Sequence, residues 1–332
     1  MRKTAAVKIY HGYGHTHDLI VFGHVFSKLP RPRRRYRNNI FVNIFQLLRL
    51  FFIRPLAGVR VRLVWYDQLL ETVTEKDGFF KFEWQATHEV AAGWHQANVS
   101  ALGQEGEVIA KGQGLVFIPH STQYAFISDI DDTIMISHSG TVGKRLKELF
   151  VKNPHTRSMF EDVARHYALL GAAHTQPQAP NPFFYVSSSE WNLYDYLHDF
   201  FDHNNLPEGA FLLNQVKRWH ELWKTGKTKH EGKLLRIARI FNAFPKQRFV
   251  LFGDNSQSDP AIYARLAEKY GDRIVAVYIR EVNADNREAT LQSLQTLEAK
   301  DVQTLLFTHS RDAIAHSARI GLVETQGLPG VS

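Results

Sequence analysis

The chain has 332 residues, of which 44% are hydrophobic and 22% charged, with a net charge of +7 and no cysteine. That apolar content suffices for two ordinary domains and excludes a disordered chain, while the missing cysteines exclude disulfides, thiolate metal sites and a cysteine nucleophile. The positive balance favours anionic partners, whether nucleic acid, anionic lipid or phosphorylated small molecules, and charge alone does not choose among them.

The N-terminal "MRKTAAVKIYHG" is basic, but Lys8 breaks its apolar stretch too early for a signal-peptide core. The expectation is therefore a cytoplasmic protein. His11, His15 and His17 follow in "HGYGHTHD"; they have no second cluster to complete a metal site and are read as unliganded. Residues 28–37, "KLPRPRRRYR", carry six basic side chains, and "IFVNIFQLLRLFFIR" follows at once. A helical projection puts Phe41, Ile44, Phe45, Leu48, Phe51 and Phe52 on one face and Asn43, Gln46, Arg49 and Arg54 on the other. This is the composition of a basic interfacial helix over 28–54, suited to peripheral contact with an anionic membrane and too polar to span one; a helix packed on a domain core would show the same stripe.

Short alternating segments fill the rest of the first 120 residues. "GVRVRLVWYD" sets Val59, Val61, Leu63 and Trp65 against Arg60, Arg62 and Tyr66 with the period of a half-buried strand. Asp77–Gly78 predicts a hairpin-type turn before Phe80, Phe82 and Trp84, and further strands are read at "HQANVSAL" and "GEVIAKGQGLVFIP". Together they predict a small antiparallel β-sandwich domain over 1–120.

From 121 to 332 the pattern is α/β. Apolar strands at Tyr124–Ser128, Phe183–Val186, Phe249–Phe252 and Ile274–Tyr278 alternate with helices at Leu193–Phe201, Lys233–Phe241 and Ala261–Tyr270. "DVQTLLFTHSRDAIAHSARIGLV" adds a last strand and a helix near Asp312–Ile320, with no catalysis expected of it. Strands this continuously apolar are buried on both faces of a parallel sheet, and such sheets bind ligands beyond the carboxyl ends of their strands. Those ends carry Asp129 and Asp131, then Ser187, Ser188 and Ser189, then Asp254 and Asp259, with Lys227, Lys229 and Lys233 in the basic helix entry between the last two groups. Carboxylates, hydroxyls and a lysine on one sheet edge suit a hard divalent cation such as Mg²⁺ together with a phosphate. A carboxylate at the strand tip can attack phosphorus, and one two residues on can serve as general acid and base.

Asp129-Ile130-Asp131-Asp132-Thr133 is a D-x-D-x-T pattern. Here the sequence resembles the haloacid dehalogenase-like phosphatases, whose four sequence marks can be placed in order. The resemblance implies a Rossmann-like parallel sheet with little cap, about 50 residues lying between Thr133 and the serine strand. It also implies Asp129 as nucleophile and metal ligand, and Asp131 as acid/base that binds metal through its main-chain carbonyl. Ser187 would hold a phosphoryl oxygen, with Thr133 and Ser188 beside it on the substrate side. Lys233 would neutralise the phosphate, with Lys229 as rival. Asp254 and Asp259 would complete the metal site, and Asp132 has no chemistry assigned.

More narrowly, "SDIDDTI", "FYVSSSEWNLYDYLHDFF", "GKLLRIARIFNAFPKQRFVLFGDNSQSDPAIY" and "RIVAVYIREV" resemble the actin-patch-type phosphatidate phosphatases, related in catalytic logic to the lipins. The implied reaction is Mg²⁺-dependent hydrolysis of phosphatidate to diacylglycerol and phosphate. A soluble phosphomonoester is the alternative substrate, and a non-catalytic phosphatidate-binding module is the alternative role. Two departures from the family pattern are Glu190, where proline is more usual, and "KHEGK", where "KHK" is closer to the norm. Without a stacking platform, helix-turn-helix pattern or zinc ligand set, nucleic acid is not expected as a partner.

Overall fold

The computed structural model describes residues 5–29, 45, 48–137, 153–214 and 229–324. The chain forms two compact units, whose described residues are 5–29, 45 and 48–120 in the first and 121–137, 153–214 and 229–324 in the second.

In the first unit, eight strands form one continuously hydrogen-bonded sheet: β1 (Ala6–Ile9), β2 (Gly12–His15), β3 (Asp18–Phe26), β4 (Arg60–Trp65), β5 (Gln68–Val73), β6 (Phe79–Trp84), β7 (Gly93–Leu102) and β8 (Val108–Ile118). Pairing is antiparallel except between β2 and β8, the parallel pair that joins the two halves of the sheet. The period-2 pattern of β4 is observed, with Val61, Leu63 and Trp65 buried and Val64 and Tyr66 exposed. Inward side chains from both halves, including Leu19, Val21, Leu63, Trp65, Phe80, Val99 and Val116, share one core.

The Asp77–Gly78 turn exists but joins no hairpin. β5 pairs with β4, whereas β6 pairs with β3 over Phe79–Trp84. The reason lies at the turn itself: Gly78 has φ 79°, donates to the Glu75 carbonyl and accepts from the Val25 N–H, so the chain is handed to β3. A Cβ at Gly78 would meet the Val25 carbonyl oxygen at 2.7 Å. Most of the predicted interfacial helix lies outside the described residues. Within the described part, Phe51 and Ile53 are core while Phe45 and Phe52 are more than half exposed, so the apolar stripe does not bury as one face.

The second unit holds a six-stranded, wholly parallel sheet in the order β11-β10-β9-β12-β13-β14. Its strands are β9 (Tyr124–Ser128), β10 (Phe183–Glu190), β11 (Gly209–Asn214), β12 (Arg248–Asp254), β13 (Ile274–Arg280) and β14 (Gln303–Phe307). Numbered within the unit this is 3-2-1-4-5-6, the doubly wound order whose switch point lies between the first and fourth strands. β9 and β12 are those strands, and both are buried along nearly their whole length. The helices are α1 (Val163–Ala172), α2 (Tyr194–His203), α3 (Lys229–Ala243), α4 (Asp259–Tyr270), α5 (Arg287–Glu298) and α6 (Ser310–Arg319). β11, α1 and α5 add to the elements expected from sequence, and β10 runs on through the serines to Glu190.

Candidate active site

At the switch point two acidic strand ends are neighbours. β9 ends at Ser128 opposite Phe252 of β12, and the Asp129 N–H donates to the Phe252 carbonyl at 2.8 Å. The registered pair therefore sets Asp129 and Asp254 just beyond the same edge. Asp259 opens α4, where Pro260 fits the first turn and a carboxylate is favoured by the helix dipole. Gly253 lets Asp259 close on β12, since a Cβ there would sit 2.6 Å from Asp259 Oδ2.

Lys233, on α3, reaches between these strand ends. Its ammonium donates to Asp129 Oδ1 at 2.6 Å and to Asp259 Oδ1 at 2.5 Å, and all three side chains are buried. Asp254 Oδ1 accepts the N–H of Ser256 at 2.6 Å and also its hydroxyl. Each of the three carboxylates thus spends one oxygen on the protein. The other oxygens, Asp129 Oδ2, Asp254 Oδ2 and Asp259 Oδ2, are buried without a hydrogen-bond partner. Ligand-capable oxygens of the three lie within 4.8 Å of one another.

The charges do not balance. Three carboxylates against one ammonium leave two negative charges in a dry setting, which is costly unless a cation joins them. Burial pushes Asp129 well above the ordinary carboxylate range; Lys233 pulls it back, and Asp259, Asp254 and Asp131 add to the rise. Asp254 is pushed up to about 7, first by burial and then by Asp259. Burial alone would lower Lys233, but Asp129 and Asp259 outweigh it and hold the amine above its ordinary value. The ammonium keeps its proton, and the carboxylates carry the strain of the surplus charge. Unpartnered oxygens, all-oxygen donors and a surplus of two negative charges fit a hard divalent cation.

Asp131 belongs to a separate cluster. Its Oδ2 accepts from Ser187 Oγ at 3.2 Å and Ser189 Oγ at 2.8 Å, and its Oδ1 from Ser137 Oγ at 2.8 Å. Ser137 Oγ in turn accepts from Arg157 Nη2 at 2.8 Å, so the chain runs from a buried guanidinium through a hydroxyl to the carboxylate. Ser137 is placed by Asp132, whose Oδ1 accepts the Ser137 N–H at 2.7 Å and whose φ of 62° is left-handed. Asp132, unassigned by sequence, closes the loop after β9. Thr133 is buried; its carbonyl accepts from Arg280 Nε at 3.0 Å, and its Oγ1 has no hydrogen-bond partner.

These observations coincide with similarity to known proteins. Residues 124–281 match the family described as phosphatidate phosphatase APP1, catalytic domain. The phosphatidate phosphatase APP1 of Saccharomyces cerevisiae is 32% identical over 163 residues, covering 46% of this chain and 25% of the relative. An uncharacterized protein of Schizosaccharomyces pombe is 27% identical over 163 residues, covering 48% of this chain and 26% of its own. The match therefore spans about a quarter of each relative's length. Among solved structures, a carbohydrate acetylesterase from Xanthomonas citri aligns at 9% identity and a TM-score of 0.32 over 94% of this chain and 72% of that one, too slight to carry an argument.

Within the matched stretch the structure brings together Asp129, Lys233, Asp254 and Asp259 in one cluster and Asp131 and Ser187 in the adjoining one. Ser188 lies half-buried between two serines that both reach Asp131. Lys229 is the first residue of α3, and its side chain lies outside the described part. Glu190, the departure from the family pattern, is buried rather than facing solvent. Sequence reasoning did not assign Ser189, Ser137, Arg157, Ser256 or Arg236. Ser189 was named at its strand end without a role, Ser256 is a local partner two residues from Asp254, and Ser137, Arg157 and Arg236 depend on tertiary packing.

Proposed function

We propose that residues 121–332 form a Mg²⁺-dependent phosphatidate phosphatase of the haloacid dehalogenase type, releasing diacylglycerol and phosphate. What supports the reading most is the set of three carboxylates that each leave one buried oxygen unpartnered beside Lys233, within a family domain of that name. Asp129, Asp254 and Asp259 would hold the cation, with the Asp131 main-chain carbonyl beside them. Bound there, Mg²⁺ would neutralise the surplus charge of the cluster and that of the phosphoryl group.

The chain's own residues then divide the work. Asp129, with Lys233 orienting one oxygen, attacks phosphorus and forms an aspartyl-phosphate as the ester P–O bond breaks. Asp131 gives its proton to the departing alkoxide and takes one from the water that cleaves the intermediate. Because Arg157 fixes the direction of the Ser137 hydroxyl toward Oδ1, the mobile proton belongs on Oδ2. There the hydroxyls of Ser187 and Ser189 can donate to the carboxylate or accept from the acid. Ser187, Ser188 and Thr133 serve the substrate side, where Thr133 Oγ1 is an available buried hydroxyl.

A lipid substrate requires contact with a membrane surface. The run of six basic residues over 28–37 and the exposed Phe45 and Phe52 support peripheral binding to anionic lipid. None of the described helices is long and apolar enough to cross a membrane.

The test is phosphate release from phosphatidate in mixed micelles, with and without Mg²⁺, beside a panel of soluble phosphomonoesters and the Asp129→Asn variant. Metal-dependent release from the lipid, abolished in the variant, upholds the proposal. Release from soluble esters alone keeps the chemistry and removes the lipid, and binding of phosphatidate without turnover makes the domain a lipid-binding module.

A further inference from the structure

Arg236 is a cation with no carboxylate partner among the described residues. It lies on α3, three residues after Lys233, and residues at that spacing share one helix face. Its Nη2 donates to the Ser187 main-chain carbonyl at 3.3 Å, its Nε is buried without a hydrogen-bond partner, and the residue as a whole is half-buried. Ser187 is the residue whose hydroxyl touches Asp131. The guanidinium is thus anchored by a neutral carbonyl at the edge of the active site. Lys233 sits between two carboxylates, and Arg157 reaches Asp131 through Ser137.

A phosphoryl dianion entering this site needs more than the ammonium supplies. Lys233 has three N–H donors, and two are already given to Asp129 and Asp259. We propose that Arg236 is a phosphoryl-binding residue, holding the oxygens of a phosphomonoester, or of the phosphate it yields. The assignment rests on the phosphatase reading above. Its chemical logic is the planar fork of an arginine, which offers parallel donors to phosphate oxygens where lysine offers a point charge. Burial lowers the group only to about 10, so it is charged at neutral pH.

A residue that merely caps the end of β10 would behave differently, and Arg236→Gln separates the two. Glutamine can still donate to the Ser187 carbonyl but carries no charge. The expected result is a KM for phosphatidate and for soluble phosphomonoesters raised about 10- to 100-fold, the range for loss of a charge-assisted contact. Inhibition by inorganic phosphate should weaken by the same factor, and Arg236→Lys should recover part of both. Effects on the esters without any on inorganic phosphate would place Arg236 on the alcohol portion of the substrate and overturn the assignment.

If Arg236→Gln does not fold, the wild-type protein with ¹⁵N-labelled arginine carries the test. Inorganic phosphate added in the presence of Mg²⁺ should shift one arginine Nε–Hε resonance, the one absent from Arg236→Lys, and no shift overturns the proposal. Asp129→Asn is run alongside. Turnover that survives it defeats the phosphatase reading itself, whereas turnover that needs Asp129 but ignores Arg236→Gln defeats the Arg236 assignment alone.

Discussion

Lys233 and Asp129 meet at 2.6 Å with both side chains buried, although 104 residues separate them in the chain. The same ammonium holds Asp259, so one cation fixes the mutual geometry of a strand tip and a helix start. Removing one partner of such a cluster leaves buried charge uncompensated, a change costing about 3–5 kcal/mol. Lys233→Met should therefore unfold at lower temperature than wild type in EDTA, and Mg²⁺ should restore part of the loss. A melting temperature equal to wild type in EDTA would mean that the carboxylates are not held by Lys233.

The unpartnered oxygens of Asp129, Asp254 and Asp259 predict linkage between cation and stability. At a Mg²⁺ concentration 100 times the dissociation constant, the native state gains about 2.7 kcal/mol. Scanning calorimetry with Mg²⁺ against EDTA should show this upward shift, and Asp254→Asn should reduce it. Identical melting curves under both conditions would remove the cation site.

Ser137 links Arg157 to Asp131, and its replacement tests that chain. Ser137→Ala should lower kcat about 10-fold while changing KM little, because the substrate is not what the hydroxyl touches. The expected stability loss is about 1–3 kcal/mol, since the buried Arg157 guanidinium loses its hydroxyl partner. Unchanged kcat would show that Asp131 does not depend on its Oδ1 contact.

Gly253 is a steric requirement rather than a conformational one. A methyl group there falls 2.6 Å from Asp259 Oδ2 and 2.7 Å from Asp259 Cβ. Gly253→Ala should displace α4 from β12 and weaken Mg²⁺ affinity by at least about 10-fold, measured by titration calorimetry. Retained affinity would show that α4 yields at no cost to the site.

Two buried histidines set a limit at acid pH. Burial lowers both His24 and His166 to about 3, the latter with added repulsion from Arg280 and His316, and the ordinary value is 6.5. Between those values the unfolded chain binds more protons than the native one. Stability is then complete above about pH 6.5 and falls toward pH 3, by about 1.4 kcal/mol per pH unit for each histidine. Asp254, raised to about 7, works in the opposite sense, because a raised carboxyl loses its contribution as pH rises. Urea midpoints should be taken in saturating Mg²⁺, which suppresses that opposing effect. A flat profile from pH 7 to 5 would contradict the buried neutral state of both rings.

The sequence made the ligand-bearing edge legible because a buried parallel strand advertises itself twice, by its apolar run and by the polar residues where it stops. Asp129, Ser187 and Asp254 were visible on that ground. Arg157, Ser137 and Arg236 were not, since each gains meaning from a partner at least 20 residues away. The Asp77–Gly78 turn shows the opposite failure: a correct local reading led to a wrong pairing, because β3 captures β6 at long range. β11 was passed over because "GAFLLN" is short and carries no chemistry, yet it forms the edge of the sheet.

The strand order has a further consequence in time. β9 is interior to its sheet, but its neighbours arrive late: β10 begins only at Phe183 and β12 not until Arg248. During synthesis β9 therefore emerges as an apolar strand with both ladders unpaired, the condition in which exposed edges invite intermolecular association. The residues that make the active site compact when finished make the growing chain dependent on something to shield it. Stalled nascent chains ending before residue 248 should bind a holdase chaperone more strongly than chains that extend past Asp259.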